Sequence, residues 1–289
     1  MTNANQTSTD AGDYIQYEQQ VEAQRVHQFG WDATSTSSKI IMSFWIKSSV
    51  ARTYQGAIKL NDPNTIYPWN TGAISANTWT KVTKTIPGAS GNVINNDTGI
   101  GMHWLLWPYI GTTYTGGGTN EQWGSNSGAT SWTASTDDTS YWTTNGATVE
   151  VTGLQIEVGS EATSFEHRSF DDELELCERY FQTYSDTLWQ GTNEHAANYS
   201  LYLDGYFRKK MRGTPTATIV GTVGIGRPQV GVTQRPNSIG GLNKEGFYKC
   251  NWPSSGTYGG SLGTHGDAYY RMFVSTAPTN RIDFSSEPN

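Results

Sequence analysis

Apolar and polar residues alternate along several short stretches of the chain, and this period of two is typical of β-strands with one buried face. The clearest stretch is 39–47, where every second side chain is apolar and those between are polar or amphipathic. Its apolar positions are Ile40, Met42, Phe44 and Ile46. Weaker patterns predict further strands at 53–60, 78–86 and 99–110, separated by turns rich in Asn, Asp, Pro and Gly. This spacing favours a β-sandwich.

The stretch 99–110 differs from the others because both of its alternating faces are rich in apolar residues. One face contains Ile100, Met102, Trp104 and Leu106. The other face contains His103, Leu105, Trp107 and Tyr109. Such a strand is either buried on both faces or presents an aromatic site on one of them.

The pattern changes near the middle of the chain. Apolar residues keep one parity up to Val151 and the other from Leu154, so the alternation slips at Thr152–Gly153 and predicts a β-bulge. After this strand, Ser169 can cap a helix whose first turn carries acidic residues. The helix is expected to span 169–184, because its apolar positions fall within an arc of about 160°. These positions are Phe170, Leu174, Leu176, Cys177, Tyr180, Phe181 and Tyr184.

So wide an apolar arc indicates a helix that is covered from two sides. The helix therefore divides the chain, and short strands and turns resume after it. We predict an all-β protein in which a short α-helix links a large β-sandwich to a smaller C-terminal β domain. The expected parts are a flexible arm at 1–12, the sandwich at 13–168, the joint helix at 169–184 and the C-terminal β domain at 185–289.

The segment 111–146 is the least regular part of the chain and is rich in Gly, Ser, Thr and Asn. This composition cannot build a core, so aromatic rings within it are expected to be partly exposed. An indole ring can stack on the apolar face of a sugar while nearby polar side chains bond its hydroxyls. We therefore predict a carbohydrate-binding surface formed by Trp107, Tyr109, Trp123 and Trp132. The alternative is that these rings close the ends of the sandwich.

Composition narrows the range of partners. Charged residues make up 16% of the chain, and the net charge is −7 with 19 Lys and Arg, which provides no basic face for nucleic acid or an anionic membrane. The first residues lack the basic and apolar regions of a signal peptide, and no stretch approaches the ~18 apolar residues of a membrane-spanning helix. We expect no nucleic-acid binding, membrane insertion or export. Cys177 and Cys250 are expected to be reduced thiols.

The sequence contains no recognisable catalytic or metal-binding motif. It has no GxSxG elbow, HExxH pair, P-loop or CxxC, and its five histidines show no ligand spacing. We therefore predict that the protein is not an enzyme and has no cofactor, although spacing does not exclude the two carboxylates that a glycosidase needs. Asp62, Asp97 and Asp137–Asp138 are compatible with a calcium ion, but turn chemistry explains them equally well.

Several segments resemble one family. The stretches 153–159 (GLQIEVG), 163–168 (TSFEHR) and 173–182 (ELELCERYFQ) together resemble the joint of many tailed-phage fibre and virion proteins, where it follows a carbohydrate-binding-module-like jelly roll. The resemblance extends over about two thirds of the chain, through AGDY, IMSFWIKS and NTW upstream and more faintly MRGTPT downstream. It implies a jelly-roll fold for the sandwich. Such relatives carry early strands ahead of the position of Met1, so we expect that another chain supplies a strand or that it is missing.

The resemblance also implies a function and an assembly. The expected protein is a virion fibre or appendage, made in the host cytoplasm, that binds a host-surface glycan non-covalently and contacts other virion proteins through its N-terminal region. A homotrimer is implied by the threefold symmetry common in fibres. The residues expected at the assembly contact are Leu174, Cys177, Tyr180 and Phe181. The alternatives are a purely structural virion connector or decoration protein and a glycan depolymerase.

Overall fold

The computed structural model describes residues 2, 8–126, 128, 132–134, 139–185, 188–192, 200–221, 223–227, 231–234, 238–251, 270–274 and 280–286. Residues 1 and 3–7 of the predicted arm and the Asp137–Asp138 pair lie outside the described residues. Thr2 forms an isolated β-bridge with Thr148, and the carbonyl of Ser8 accepts a 2.7 Å hydrogen bond from Trp142. The described part of the arm therefore contacts the first domain.

The chain is an all-β protein that divides into two compact units, 1–167 and 168–287. The first unit has two antiparallel sheets, with strands in the orders β1-β6-β3-β4-β7 and β5-β2-β8, that form a jelly-roll sandwich. Its strands are β1 (Tyr14–Glu22), β2 (Lys39–Ser48), β3 (Arg52–Leu60), β4 (Thr65–Ile74), β5 (Thr80–Pro87), β6 (Ile100–Ile110), β7 (Gly124–Ser125) and β8 (Val149–Val158). Its helical segments are α1 (Ala23–Gln28), a 3-10 turn (Thr112–Tyr114) and α2 (Ser140–Thr143).

The main core of the first unit lies between its two sheets. The apolar face predicted for β2 is confirmed, because its four apolar residues Ile40, Met42, Phe44 and Ile46 are all buried. The ring of Phe44 lies 5.7 Å from that of Trp69 in β4 and 5.5 Å from that of Trp104 in β6, so it contacts the opposite sheet. Burial of each such side chain contributes about 1.5–3 kcal/mol, and these contacts hold the sheets together.

A β-bulge in β8 confirms the slip in alternation seen in the sequence. Ser43 of β2 pairs with Gln155, but Trp45 pairs with Thr152, so β8 has one more residue than β2 between these pairs. Gly153 lies in the bulge with φ of 62°, a conformation that glycine adopts without steric cost. The backbone geometry therefore explains the glycine at this position.

A second bulge lies in β6, where the sequence pattern did not predict one. Tyr17 of β1 pairs with Leu106, whereas Ile15 pairs with Tyr109, so β6 contains an extra residue close to Pro108. Proline cannot donate a ladder hydrogen bond and is common at bulges. Beyond this bulge the faces exchange, and Tyr109 lies in the main core between the sheets.

The segment that leaves the first unit is held by two side chains of β8. The amide of Gln155 donates to Oγ1 of Thr163 (3.0 Å) and accepts from the backbone N–H of Glu166 (2.8 Å). Glu157 accepts two further bonds, from the backbone N–H and the hydroxyl of Thr163, each at 2.8 Å. The backbone bond is the main cause that lowers the pKa of the Glu157 carboxyl. Gln155 and Glu157 therefore fix the path of the chain from the end of β8 to Glu166.

The second unit contains one helix, α3 (Phe170–Glu178), among its described residues and two further sheets. Its strands are β9 (Phe181–Tyr184), β10 (Leu188–Thr192), β11 (Ser200–Tyr206), β12 (Thr216–Val220), β13 (Val223–Arg227), β14 (Gly231–Gln234), β15 (Ser238–Gly240), β16 (Gly246–Asn251), β17 (Tyr270–Val274) and β18 (Arg281–Ser285). The sheet orders are β14-β13-β17-β10-β11-β16-β15 and β12-β18-β9. In the buried cluster, the ring of Phe284 lies 4.9 Å from Phe207 and 5.3 Å from Phe247.

Helix α3 begins as predicted but ends early. The hydroxyl of Ser169 accepts a hydrogen bond from the backbone N–H of Asp172 at 3.1 Å, which is the predicted N-cap. The predicted span of 169–184 is too long, because the helix ends at Glu178. Within the part of the chain that the structure describes, no helix has the length and apolar character needed to cross a membrane.

The early end of α3 follows from Gln182, which is 1% exposed. Its Nε2 donates to the carbonyls of Glu178 and Lys209 at 2.9 and 2.6 Å, and its Oε1 accepts from the hydroxyl of Tyr184 at 2.8 Å. Strand β9 turns both Gln182 and Tyr184 inward, while Phe181 and Thr183 are exposed. A helix would not place these two side chains on one face, so the strand satisfies the buried amide better.

Candidate functional site

A cavity of about 90 Å³ lies on the outer face of the five-stranded sheet, the face turned away from the main core. Strands β1, β3, β4 and β6 contribute to this outer-face cavity, as does Trp132 of the segment 111–146, which we call the long loop. Its lining residues are Gln16, Glu18, Lys59, Ile66, His103, Leu105 and Trp132. At about 30 Å³ for each water molecule, it has room for roughly three waters. It therefore fits a small group at the edge of a ligand.

A chain of hydrogen bonds runs along the sheet behind this cavity. The indole N–H of Trp107 donates to Oε1 of Gln16 at 3.1 Å, and Nε2 of Gln16 donates to Oε2 of Glu18 at 2.9 Å. The other carboxylate oxygen of Glu18 lies 2.6 Å from Nδ1 of His103. Each polar group thus holds the next in one orientation, and strands β1 and β6 are tied together.

The electrostatic surroundings set the protonation of His103 and Glu18. Burial is the main cause that lowers the pKa of His103 from 6.5; the Glu18 hydrogen bond opposes this change, and Lys59 adds to it. Burial raises the pKa of Glu18, but hydrogen bonds from His103, Gln20 and Gln16 outweigh it, and the net pKa is below 4.5. At neutral pH the imidazole is therefore neutral and donates from Nδ1 to a carboxylate.

His103 is consequently left with one unused acceptor. The side chain is 6% exposed, and its Nε2 has no hydrogen-bond partner among the described residues. Because Nδ1 carries the proton, Nε2 presents a lone pair to a hydrogen-bond donor. A buried polar atom without a partner is costly, so a donor that bonds to Nε2 would remove this cost.

Lys59 supplies a positive charge beside this acceptor. It lies directly opposite His103 in the pairing of β3 with β6, and it lines the same cavity. The ammonium forms no ion pair with any residue in the described ranges. It can therefore donate up to three hydrogen bonds to a ligand.

Trp132 forms the aromatic wall of the outer-face cavity. Its ring stacks on Trp107 at 6.1 Å and on Tyr114 at 4.6 Å, with interplanar angles of 16° and 14°. The neighbouring Thr133 forms a β-bridge with Thr115, which fixes this part of the long loop against the 3-10 turn. Trp132 is partly exposed, so the part of its ring that these two contacts leave open can touch a ligand that enters the cavity.

A second cavity, of about 100 Å³, shares Ile66 with the first. A glycine-rich part of the long loop forms one wall, with Gly117, Gly118 and Gln122 among its residues. Trp123 also lines this cavity. The two cavities therefore flank Ile66 on the same sheet and provide space for more than one part of an extended ligand.

The structure brings two of the four predicted sugar-binding residues together. Trp107 and Trp132 stack on each other beside the outer-face cavity. Trp107 is fully buried, so our expectation that it meets a ligand directly needs correction. It supports Trp132 and orients Gln16 instead.

The other two predicted residues lie elsewhere. Tyr109 is on the opposite face of the sheet, because the bulge beside Pro108 exchanges the faces, and its ring lies 4.9 Å from that of Trp142. The indole N–H of Trp123 donates to the carbonyl of Pro87 at 2.6 Å, and the ring packs against the main core. Tyr109 closes the sandwich, as the alternative interpretation of these rings expects, and Trp123 both closes it and lines the second cavity.

The sequence patterns did not identify the polar residues of the outer-face cavity as site residues. Glu18 and Lys59 lie on different strands, and only the antiparallel pairing of β1, β6 and β3 brings them to His103. One signal was present: a histidine interrupts an otherwise apolar face of the stretch 99–110. A buried histidine there needs a partner from a neighbouring strand.

The predicted assembly residues are largely exposed in the single chain. Leu174 is 45% exposed, and Phe181 and Cys177 are exposed as well. Tyr180 is partly buried, and Phe181 belongs to strand β9 rather than to the helix. Helix α3 therefore presents an apolar face without burying any of its residues.

Asp62 and Asp97, the two described positions among those considered for calcium, accept hydrogen bonds in loops. Asp62 accepts from the backbone and side-chain N–H groups of Asn95 at 2.8 and 2.9 Å, and Asp97 accepts from the backbone of Gly99 at 2.7 Å. Across the described ranges, no three His, Cys, Asp or Glu side chains come together as a set of metal ligands.

Comparison with known proteins gives no family for this chain. No protein-family model matches the sequence, and no curated protein matches it either.

Proposed function

We propose that the chain is a virion fibre or appendage protein that binds a host-surface glycan non-covalently on the outer face of its five-stranded sheet. The observation that carries this proposal is the buried His103 of the outer-face cavity, whose Nε2 has no partner among the described residues. The assignment to a virion rests on the sequence resemblance of the joint.

The chemistry of the cavity suits a sugar. A sugar hydroxyl both donates and accepts, so one hydroxyl can donate to Nε2 of His103 while another accepts from the Lys59 ammonium. Trp132 offers the exposed part of its ring to the apolar groups of the same sugar. A fixed acceptor, a donor and an aromatic surface within one small cavity would select the orientation of hydroxyl groups.

The same geometry favours binding over hydrolysis. A glycosidase needs two carboxyl groups, one of them able to donate a proton. Glu18 is the one carboxylate among the lining residues of the outer-face cavity that the structure describes, and its lowered pKa keeps it ionised. It is held by His103 and Gln16 and orients the imidazole.

A glycan array tests the proposal with the wild-type chain and the variants Lys59→Met and Trp132→Ala. We expect the wild type to bind a defined set of glycans and both variants to lose at least tenfold in affinity. Lys39→Met is a matched control, since Lys39 is an exposed lysine of β2 in the other sheet. If the wild type binds no glycan, or if all variants bind equally well, the proposal is wrong.

A structural connector is the second candidate, and the exposed apolar face of α3 favours it. Phe170 is 78% exposed and Leu174 is 45% exposed, which is unusual for large apolar side chains on a helix. We propose that this face assembles the chain into homotrimers. Such assembly is compatible with glycan binding, and a connector without a sugar site would show assembly alone.

A further inference from the structure

A third cavity in the first unit is lined by none of the residues that line the other two. It has a volume of about 320 Å³ and is formed by the end of α1, the connection between α1 and β2 and that between β5 and β6. We call it the loop cavity. Its buried lining residues are Val26, Trp31, Ala33 and Asn92, and Asp32 and Val93 are exposed at its rim.

Asn92 is a buried lining residue of the loop cavity that carries an unpaired polar atom. The residue is 2% exposed, and its Oδ1 accepts a 2.8 Å hydrogen bond from the hydroxyl of Thr65. This contact fixes the amide, and Nδ2 at its other end has no hydrogen-bond partner among the described residues. A buried donor of this kind costs about 1–3 kcal/mol. An acceptor oxygen from a ligand would supply the missing bond.

The rim adds an acceptor and a negative charge. Oδ1 of Asp32 accepts from the backbone N–H and the hydroxyl of Thr34 at 3.0 and 2.7 Å. Its Oδ2 accepts no bond from a described residue and can meet a ligand N–H or hydroxyl. This carboxylate repels an anionic ligand, and a cation cannot accept the hydrogen bond that Nδ2 of Asn92 offers, so the two groups together favour a neutral ligand with both a carbonyl oxygen and a donor.

We propose that the loop cavity binds the acetamido group of a neutral 2-acetamido sugar. The acetamido carbonyl accepts from Nδ2 of Asn92, its methyl group packs against the apolar wall around Val26, and a sugar hydroxyl or the amide N–H donates to Asp32. The volume corresponds to roughly ten water molecules of about 30 Å³ each, which is enough for one such sugar.

A peptide also carries carbonyl, N–H and apolar groups, but the cavity is less suited to one. Peptides that bind β-proteins in extended form add a strand to a free sheet edge. The walls of the loop cavity are the end of α1 and two connections, and its lining residues belong to no β-strand. A compact ligand that carries all three groups on one ring fits this shape better.

This inference rests on the proposed function, because it assumes a glycan ligand, but it concerns a different set of residues. NMR titration of the ¹⁵N-labelled full chain with methyl glycosides of N-acetylglucosamine and glucose tests it. The proteins compared are the wild type, Asn92→Leu and Lys59→Met. We expect the acetamido sugar alone to shift the side-chain amide of Asn92 and the backbone amides of Ala33 and Val93. Asn92→Leu should weaken this binding at least tenfold, and Lys59→Met should leave it unchanged.

The outcomes separate the two sites. If the shifts appear with both sugars, or if Lys59→Met abolishes them while Asn92→Leu does not, the loop cavity is not an acetamido site. If neither sugar shifts these amides in the wild type, the inference is also wrong, while the glycan array with Lys59→Met decides the proposed function by itself. The wild-type shifts of Ala33 and Val93 remain decisive even if Asn92→Leu does not fold.

Discussion

Nδ1 of His103 lies 2.6 Å from Oε1 of Glu18 and joins strands β6 and β1 on the outer face of the sandwich. The contact combines a buried imidazole with a carboxylate that is ionised at neutral pH. It fixes the tautomer of the histidine, so the free Nε2 is an acceptor at neutral pH and becomes a donor when the ring is protonated. Both stability and ligand binding should therefore depend on pH.

We predict that stability falls as the pH drops below about 6.5. The folded protein has a lowered pKa at His103, so the unfolded state binds more protons and gains relative stability between the ordinary pKa of 6.5 and the lowered value. The lowered pKa of Glu18 acts in the same direction below 4.5. Urea unfolding of the wild type and His103→Gln at pH 7.5, 6.0 and 5.0 measures the first effect. The variant should have the flatter profile, and parallel profiles would contradict the prediction.

We predict opposite outcomes for the two tryptophans of the long loop. Trp123→Ala removes a ring that packs on the main core and donates to Pro87, so it should cost about 2 kcal/mol or more of stability. Trp132→Ala should cost less, because Trp132 packs on a small cluster outside the main core, but it should abolish binding at the outer-face cavity. Thermal melting and glycan binding of both variants provide the comparison. A larger loss of melting temperature for Trp132→Ala would assign that ring to the core.

Some of the strands and bulges could be predicted from the sequence, and others could not. The buried face of β2 and the bulge at Gly153 were predictable, because each produces a local change in alternation. The bulge at Pro108 could not be predicted, because both faces of β6 are apolar there and a shift by one residue does not change the pattern of apolar and polar positions. Likewise, the aromatic residues of 181–184 suit a helix face as well as a strand, and only the contacts of Gln182 decide between them.

The candidate site was predicted only in part, for a related reason. Trp132 was identified from the composition of its loop, which is a local property. The neighbours Glu18, Lys59 and His103 come from three strands, and their proximity is set by strand order and register. Those features depend on the whole fold, so no local pattern reports them.

We predict that Glu157 controls the order of the segment leaving the first unit. Glu157→Ala removes two hydrogen bonds to Thr163, and the segment before Arg168 should then open more often. Hydrogen exchange at the Thr163 amide should become faster, and trypsin should cut after Arg168 more readily. Glu161→Ala is the matched control, because Glu161 is an exposed carboxylate in the same segment and has no partner among the described residues. Equal exchange in both variants would count against a role for Glu157.

The last prediction concerns assembly through α3. Leu174 is 45% exposed in the single chain, so Leu174→Asp should leave each chain folded while it puts a charge into the proposed contact between copies. Light scattering should give about three times 31.8 kDa for the wild type and a single-chain mass for the variant. Asp171→Ala, at an exposed polar position of the same helix, should remain a trimer.

Circular dichroism of Leu174→Asp separates a lost contact from a lost fold, because an exposed leucine contributes little to the stability of its own chain. A folded variant that dissociates supports assembly through this face. A wild-type chain that runs at 31.8 kDa at micromolar concentration would exclude the homotrimer. A Leu174→Asp variant that stays trimeric would instead show that the copies meet on another surface, and that the exposed apolar face of α3 has a different partner.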